Sequence, residues 1–181
     1  KELAENGGDF EFIQFWVNAP ARNKMDTPSY QPLTEEETIK IESKDGKVRV
    51  GLVAGEFMGH KGKITANSSL LVLRLDIQKG GKMQIPLPEN YNAIIYQLDG
   101  NLIVNSTETT QAKDMVWFNN DGKFIEIEGK ENTRAIILAG EPINEPLRTY
   151  GPFVMNTQTE IMEAMRDYQM GKMGVLIEEF E

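Results

Sequence analysis

The sequence predicts an all-β sandwich or barrel followed by one C-terminal helix. Short apolar runs, some alternating and some continuous, recur along the 181 residues and are separated by turns rich in Gly, Asn and Asp. That arrangement is typical of antiparallel β domains. Near the C-terminus the apolar period changes to that of an amphipathic helix. An apolar content of 40% suits one globular domain, with or without an arm, that folds without disulfides.

The first run, residues 9–18, predicts an opening strand. Its apolar side chains fall on two faces, with Phe10, Phe12 and Trp16 on one and Ile13, Phe15 and Val17 on the other. A strand that is apolar on both faces needs cover on both sides. We therefore expect this segment to lie between other elements.

The next stretch, residues 19–34, is rich in Pro and polar side chains and predicts a linker, which ends in a brief capped turn at residues 34–37. A short strand is expected at residues 48–54. Residues 71–77 alternate between apolar and polar side chains, which predicts a half-buried strand. Its core face carries Leu71, Leu73, Leu75 and Ile77.

Two turn sequences predict hairpins in the second half of the β region. Asp99-Gly100 lies between the runs 93–98 and 102–104, and an Asn-Asn-Asp-Gly turn at 119–122 separates the runs 115–118 and 123–128. Asp-Gly between apolar runs is a strong hairpin signal. A last buried strand is expected at residues 135–138.

The C-terminal helix is predicted from its caps and its apolar spacing. Thr157 followed by Glu160 forms a capping box, the helix is expected to run to about Tyr168, and Gly171 is placed to end it in a left-handed cap. One helix face carries Ile161, Met162, Met165 and Tyr168. This Met-rich face is expected to cover the β domain or a partner.

Three segments carry a family resemblance: FWVNAP at residues 15–20, AGEP at 139–142 and YGPFVMNT at 150–157. Together they resemble the C-terminal half of pirin-family proteins, and the resemblance covers nearly the whole chain. It implies a cupin-type jelly roll. We expect an opening strand and linker arm at residues 1–46, a metal-free cupin at 47–149 and a C-terminal segment with the helix at 150–181.

The resemblance also implies where the family's metal lies. Pirins are two-cupin proteins whose iron is held in the N-terminal cupin by three histidines and a glutamate. No such cluster is present in this sequence. We therefore interpret the chain as a pirin lacking that cupin. Counting back from Gly100, the ligand positions of a metal-bearing cupin fall near Leu87, Glu89 and Ala93, of which only Glu89 could ligate. We therefore expect no metal or cofactor in this chain, with iron only in the missing N-terminal cupin.

Composition excludes several classes of function. A net charge of −9 argues against direct nucleic-acid binding, because such binding depends on Lys and Arg neutralising phosphates. Zero cysteines remove thiol catalysis and thiolate metal sites, and they fit a cytoplasmic setting. No apolar run is long enough to predict a membrane span.

Other chemical candidates are weaker. His60, the only histidine, could act as a general base beside Glu56, or it could simply be a polar residue of a Gly-rich loop. The acidic runs are expected to be solvated surface rather than catalytic pairs, and they comprise residues 35–37 together with Glu178, Glu179 and Glu181. The 119–122 segment is expected to be a turn rather than a calcium loop.

Three hypotheses about function remain open. The first is a metal-free scaffold or protein-interaction module that packs on a metal-bearing cupin. The second, implied by the resemblance, is part of an iron-dependent flavonol dioxygenase of the quercetin-cleaving type, although this chain alone is not expected to be an enzyme. The third is a regulatory role through protein partners. The expected partner is the missing N-terminal cupin or a second copy of the chain, and the predicted interaction surface comprises Phe10, Phe12, Trp16, Ile161, Met162, Met165 and Tyr168.

Overall fold

The structure is a computed structural model, which describes residues 5–8 and 11–174. The chain divides into two compact units. The β unit comprises Pro20–Pro146, and the terminal unit comprises residues up to 19 together with those from 147 onward. The predicted limits 1–46, 47–149 and 150–181 stay a prediction.

The strands of the described residues are short, and every strand pairing between them is antiparallel. In chain order they are β1 Ile39–Glu42, β2 Val48–Ala54, β3 Glu56–Phe57, β4 His60–Lys61, β5 Leu70–Ile77, β6 Lys82–Pro86, β7 Asn92–Asp99, β8 Asn101–Val104, β9 Glu108–Gln111, β10 Met115–Trp117, β11 Phe124–Gly129, β12 Thr133–Gly140, β13 Arg148–Tyr150 and β14 Phe153–Met155.

Two sheets make up most of the β unit. The six-stranded sheet has the order β1-β2-β5-β12-β7-β10, and the four-stranded sheet has the order β6-β11-β8-β9. Neighbours in these sheets are mostly distant in sequence, as in a jelly roll. β3 and β4 form a small separate hairpin. The predicted all-β architecture is therefore observed as a sandwich of two sheets.

The core lies between the two sheets, because alternate residues of each strand point inward. On β5 the predicted core face, Leu71, Leu73, Leu75 and Ile77, is buried, which confirms that expectation. Ile95 on β7 and Ile137 on β12 lie opposite each other in the register and are buried too. The four-stranded sheet contributes Ile85, Leu102, Val104, Ile125 and Ile127.

The predicted opening strand is wrong over its described part. Residues 11–20 form no strand in the structure. Their side chains, Phe12, Trp16 and Val17 among them, are largely exposed. A strand needs a partner for its backbone groups, and a sequence pattern alone does not supply one.

Both predicted hairpins are also wrong in their pairing. β7 pairs with β12 and β10, whereas β8 pairs with β9 and β11. At Asp99-Gly100 the chain therefore crosses from one sheet to the other, and Gly100 has the positive φ of 69° that this sharp corner requires. The 119–122 segment makes a second crossing, between β10 and β11. The hairpin that does form beside them, β8–β9, turns at Asn105 and Ser106.

The linker and its capped turn follow the expectation closely. Apart from one turn of 3₁₀ helix at Ala21–Asn23, the described linker has no regular structure until the turn at residues 35–37. The Thr34 hydroxyl accepts from the Glu37 amide at 3.3 Å, and the Glu37 carboxylate accepts from the Thr34 amide at 3.2 Å. β1 follows directly, a strand that the sequence analysis missed because only four residues alternate there.

The terminal unit contains the hairpin β13–β14 and helix α1, Gln158–Gln169. The predicted capping box is confirmed, with the Thr157 hydroxyl accepting from the Glu160 amide at 3.2 Å and the Glu160 carboxylate accepting from the Thr157 amide at 2.7 Å. The left-handed cap at Gly171 is confirmed as well, since its φ is +70°. Gly171 and Lys172 donate to the carbonyls of Tyr168 and Asp167, which is a Schellman motif. No helix in the described residues is both long and apolar enough to cross a membrane.

Candidate functional site

The space between the two sheets is where a metal-bearing cupin would need its ligands, and here it is lined by aliphatic side chains. Its largest fully buried members are Leu52, Leu73, Leu75, Ile85, Ile95, Leu102, Ile127 and Ile137. Such side chains offer no nitrogen, oxygen or sulfur ligand to a first-row transition metal. The described residues of this space therefore do not fit the iron that the cupin fold implies.

The three positions expected to match cupin ligands have separate surroundings. Ala93 is buried in the core, and Leu87 is half-buried against it. Glu89 is exposed, and its carboxylate lies 2.9 Å from the Lys123 ammonium. Across the described residues no group of three or more His, Asp or Glu side chains is placed to hold a metal ion. That the chain binds no metal stays a prediction.

The hypothesised pair of His60 and Glu56 is not favoured by the register of its hairpin. His60 lies opposite Phe57, and Glu56 lies opposite Lys61. Because successive residues of a strand point to opposite faces, His60 and Glu56 are on different faces of the hairpin. The arrangement gives the histidine no carboxylate partner on its own face of β3.

The described acidic run is held in surface ion pairs. Glu35 lies 2.5 Å from Arg74 and 3.0 Å from Lys40, and these hydrogen bonds and charges lower the pKa of Glu35 below its ordinary value. The hydrogen bond from Lys63, at 3.0 Å, likewise lowers the pKa of Glu37. A general acid needs a raised pKa, so neither carboxyl is suited to that role at neutral pH. Glu178, Glu179 and Glu181 lie outside the described residues.

A buried amide, which the sequence analysis missed, is the principal polar group inside the sandwich. Gln97 is 1% exposed, and its carboxamide accepts from the Thr110 hydroxyl and donates to the carbonyls of Asp99 and Gly100. The signal was present in the sequence, because Gln97 continues the inward-facing series of Ala93 and Ile95. Its satisfied hydrogen bonds indicate a structural role at the corner between the sheets.

The predicted interaction surface belongs to the terminal unit, and its members differ in exposure. Phe12 is 71% exposed, Trp16 66%, Met162 56% and Tyr168 66%, whereas Met165 is half-buried and Ile161 is 1% exposed. Phe10 lies outside the described residues. The Tyr168 ring meets Phe153 edge-on, with centroids 6.1 Å apart. The exposed members form the part of this set that a partner could reach.

A cavity of about 290 Å³ opens at one end of the sandwich, and we call it the end cavity. Its walls come from the loop before β7 with the start of β7, from the β8–β9 turn, and from the end of β10 with the 118–122 loop and the start of β11. They include Trp117, whose side chain is largely exposed. Pro88 and Tyr91 also line a neighbouring cavity of about 610 Å³. Sequence reasoning did not find either cavity.

Comparison with known proteins gives consistent results. Residues 72–174 match the family model described as the Pirin C-terminal cupin domain. A pirin-like protein of Solanum lycopersicum is 35% identical over 176 residues, covering 96% of this chain and 60% of that protein. Pirin of Homo sapiens is 34% identical over 166 residues, covering 90% of this chain and 57% of that protein. The chain thus spans less than two thirds of the length of these relatives.

A solved structure confirms the predicted fold. The crystal structure of a protein named quercetin 2,3-dioxygenase, from Acinetobacter baumannii, superposes with a TM-score of 0.85 at 34% identity. The match covers 90% of this chain and 56% of that one. The two-sheet arrangement described above is therefore a cupin jelly roll.

Proposed function

The chain belongs to the pirin family, and from this premise we propose that it is a metal-free cupin whose role is to bind and support a second, metal-bearing cupin. In this role it is a scaffold and protein-interaction module. The metal chemistry of the assembly would be supplied by the iron of the partner cupin. A cytoplasmic setting, expected from the cysteine-free sequence, is part of the same proposal.

The aliphatic interior carries the proposal. A cupin that held iron would place several imidazole or carboxylate groups between its sheets. Here Leu73, Ile95 and Ile137 occupy that space, and all three are buried. Their packing stabilises the fold by roughly 1.5–3 kcal/mol for each side chain. The interior is built for stability, which suits a supporting domain.

The exposed apolar side chains of the terminal unit support the interaction role. Phe12, Trp16 and Met162 are each more than half exposed. Exposed apolar patches mark surfaces that bind other proteins, and these three side chains belong to the same unit. Regulation through a protein partner, the third hypothesis, would use the same surface.

One observation favours a second candidate function, a share in flavonol cleavage. The solved relative with a TM-score of 0.85 bears the name quercetin 2,3-dioxygenase. In that case this chain would supply one half of the dioxygenase and none of its metal ligands. Both candidate functions therefore give this chain the same role, which is to support the metal-bearing cupin.

We expect the chain to bind no stoichiometric transition metal. After incubation with ferrous iron or nickel and removal of unbound metal, elemental analysis should find far less than one equivalent per chain. The reason is the aliphatic interior, which offers no converging ligands. A His60→Ala variant serves as the control, because any weak binding at the lone histidine should disappear in it. One tightly held equivalent in the wild-type chain would contradict the proposal.

We also expect the chain to associate through the exposed residues of the terminal unit. Alone, it should form a dimer at micromolar concentration. Co-expressed with the part of the tomato relative that the match leaves uncovered, it should copurify with that part. Burial of one such side chain contributes about 1.5–3 kcal/mol, so replacing Trp16 and Met162 by Ser should weaken association by roughly 100-fold or more. Sedimentation equilibrium measures the self-association, and affinity copurification measures binding to the part of the tomato relative.

The matched control replaces two exposed residues of the β unit, Met25 and Tyr30, by Ser. They are 81% and 89% exposed, and their loss should leave association unchanged. A wild-type monomer of 20.4 kDa that also fails to copurify would contradict the interaction role. Equal effects of the two double variants would contradict the assignment of the surface.

A further inference from the structure

The floor of the end cavity is apolar and is formed by the core itself. Ala93, Val104 and Ile125 are buried there, and Val116 and Phe118 are half-buried against the core cluster. Ala93 is the smallest of these side chains. The floor therefore offers an apolar recess beneath the opening.

The walls are tied together by backbone hydrogen bonds. The Phe118 amide donates to the Ala93 carbonyl at 3.0 Å, and the Leu87 amide donates to the Lys123 carbonyl at 2.9 Å. On the rim a side-chain hydrogen bond adds to these, since the Asn120 carboxamide nitrogen donates to the Asn92 carboxamide oxygen at 2.9 Å. The cavity is thus formed by the fold before any ligand arrives, which lowers the entropic cost of binding.

The rim is polar and carries negative charge only. Glu108 and Asp121 line it together with Asn119 and Asn120, and no Lys or Arg is among the residues that line the cavity in the described chain. The nearby Lys123 ammonium is paired with Glu89 at 2.9 Å. The cavity should therefore repel anions and attract cations.

From this combination we infer that the end cavity is a binding site for a small organic cation, an amine joined to an apolar group about the size of one ring. The apolar group would enter the recess above Ala93 and contact Phe118 and Tyr91. The ammonium would remain at the rim near Asp121 and Glu108. A volume of about 290 Å³ limits the ligand to this size class. The inference is independent of the supporting role proposed above.

Three probes that share one ring test the inference: benzylamine, benzyl alcohol and benzoate. In ¹H–¹⁵N correlation spectra of the full chain, millimolar benzylamine should shift the amides of residues 118–122. Its affinity should exceed that of benzoate at least tenfold, with benzyl alcohol between them. Benzoate that binds as tightly as benzylamine, or three probes without any effect on these amides, would overturn the inference.

Two variants and one matched control connect the binding to the cavity. Ala93→Leu fills the recess and should abolish the benzylamine shifts, whereas Ala112→Leu makes the same change at an exposed turn and should preserve them. Asp121→Asn removes one charge from the rim. Because the side chain is exposed, the change should leave the stability of the fold unaltered. It should narrow the preference for benzylamine over benzoate several-fold. Benzylamine binding that is unaffected by both Ala93→Leu and Asp121→Asn would place the amine elsewhere and overturn the assignment.

Discussion

Gly55→Ala is expected to lower the free energy of unfolding by about 3–5 kcal/mol, because two separate penalties act at this position. The residue has a φ of +89°, which costs a residue with a side chain about 1–2 kcal/mol. In addition, a Cβ built on Gly55 would overlap the carbonyl oxygen of Leu70 and lie 3.0 Å from the Leu71 Cα. These are backbone atoms of β5, so relief requires the strand itself to move.

Gly59→Ala is the matched control for this prediction. Gly59 has a similar φ of +82°, but nothing lies within 4 Å of the Cβ that alanine would add. It should therefore carry only the conformational penalty of about 1–2 kcal/mol. Urea unfolding of both variants measures the difference. Equal losses in the free energy of unfolding would show that β5 moves to accommodate the added methyl group at little cost.

Local patterns in the sequence were enough to predict several elements. The alternation of Leu71, Leu73 and Leu75 identified β5 and its core face, and Thr157 with Glu160 identified the start of α1. In each case the physical cause lies within a few residues of the pattern. Strand alternation and helix capping are local effects, so a single sequence displays them.

Strand pairing depends on contacts between residues far apart in the chain, and the hairpins predicted from the sequence were wrong. Asp99-Gly100 has the composition of a hairpin turn, yet β7 and β8 belong to different sheets. The corner is fixed by Gln97, whose amide binds the two carbonyls of the turn, and by Thr110, which is distant in sequence. Which strand a run pairs with depends on contacts between separate segments, and the hydrogen bond between Gln97 and Thr110 is one of them.

The opening segment was predicted wrongly and the end cavity was not predicted, and the reasons are related. Phe12 and Trp16 have the composition of a strand, but composition does not provide the neighbour that a strand requires. The end cavity draws its walls from three stretches of the chain, residues 87–93, 104–108 and 116–125, and no motif joins them. By contrast, the expectation that the interior holds no metal came directly from composition, because a single His and no Cys limit the ligands available, and it stays a prediction.

Gln97→Leu is expected to lower the free energy of unfolding by about 3 kcal/mol, even though leucine is similar in size and apolar. The substitution leaves the half-buried carbonyls of Asp99 and Gly100 and the buried hydroxyl of Thr110 without their partner. Each unsatisfied buried group costs about 1–3 kcal/mol, which outweighs the gain from an apolar side chain. Gln84→Leu on β6 makes the same change at an exposed position and should stay within about 0.5 kcal/mol of wild type.

Thr110→Val completes the test, since it removes only the hydroxyl that donates to Gln97. Alone it should cost about 1–2 kcal/mol, because the Gln97 carbonyl oxygen loses its donor. In the double variant both partners are gone together, so the combined loss should fall short of the sum by about 1 kcal/mol. Simple additivity in denaturant unfolding would show that the two side chains are not coupled. If coupling is found, the amide and the hydroxyl act as one unit that holds the chain at the corner where β7 leads into β8.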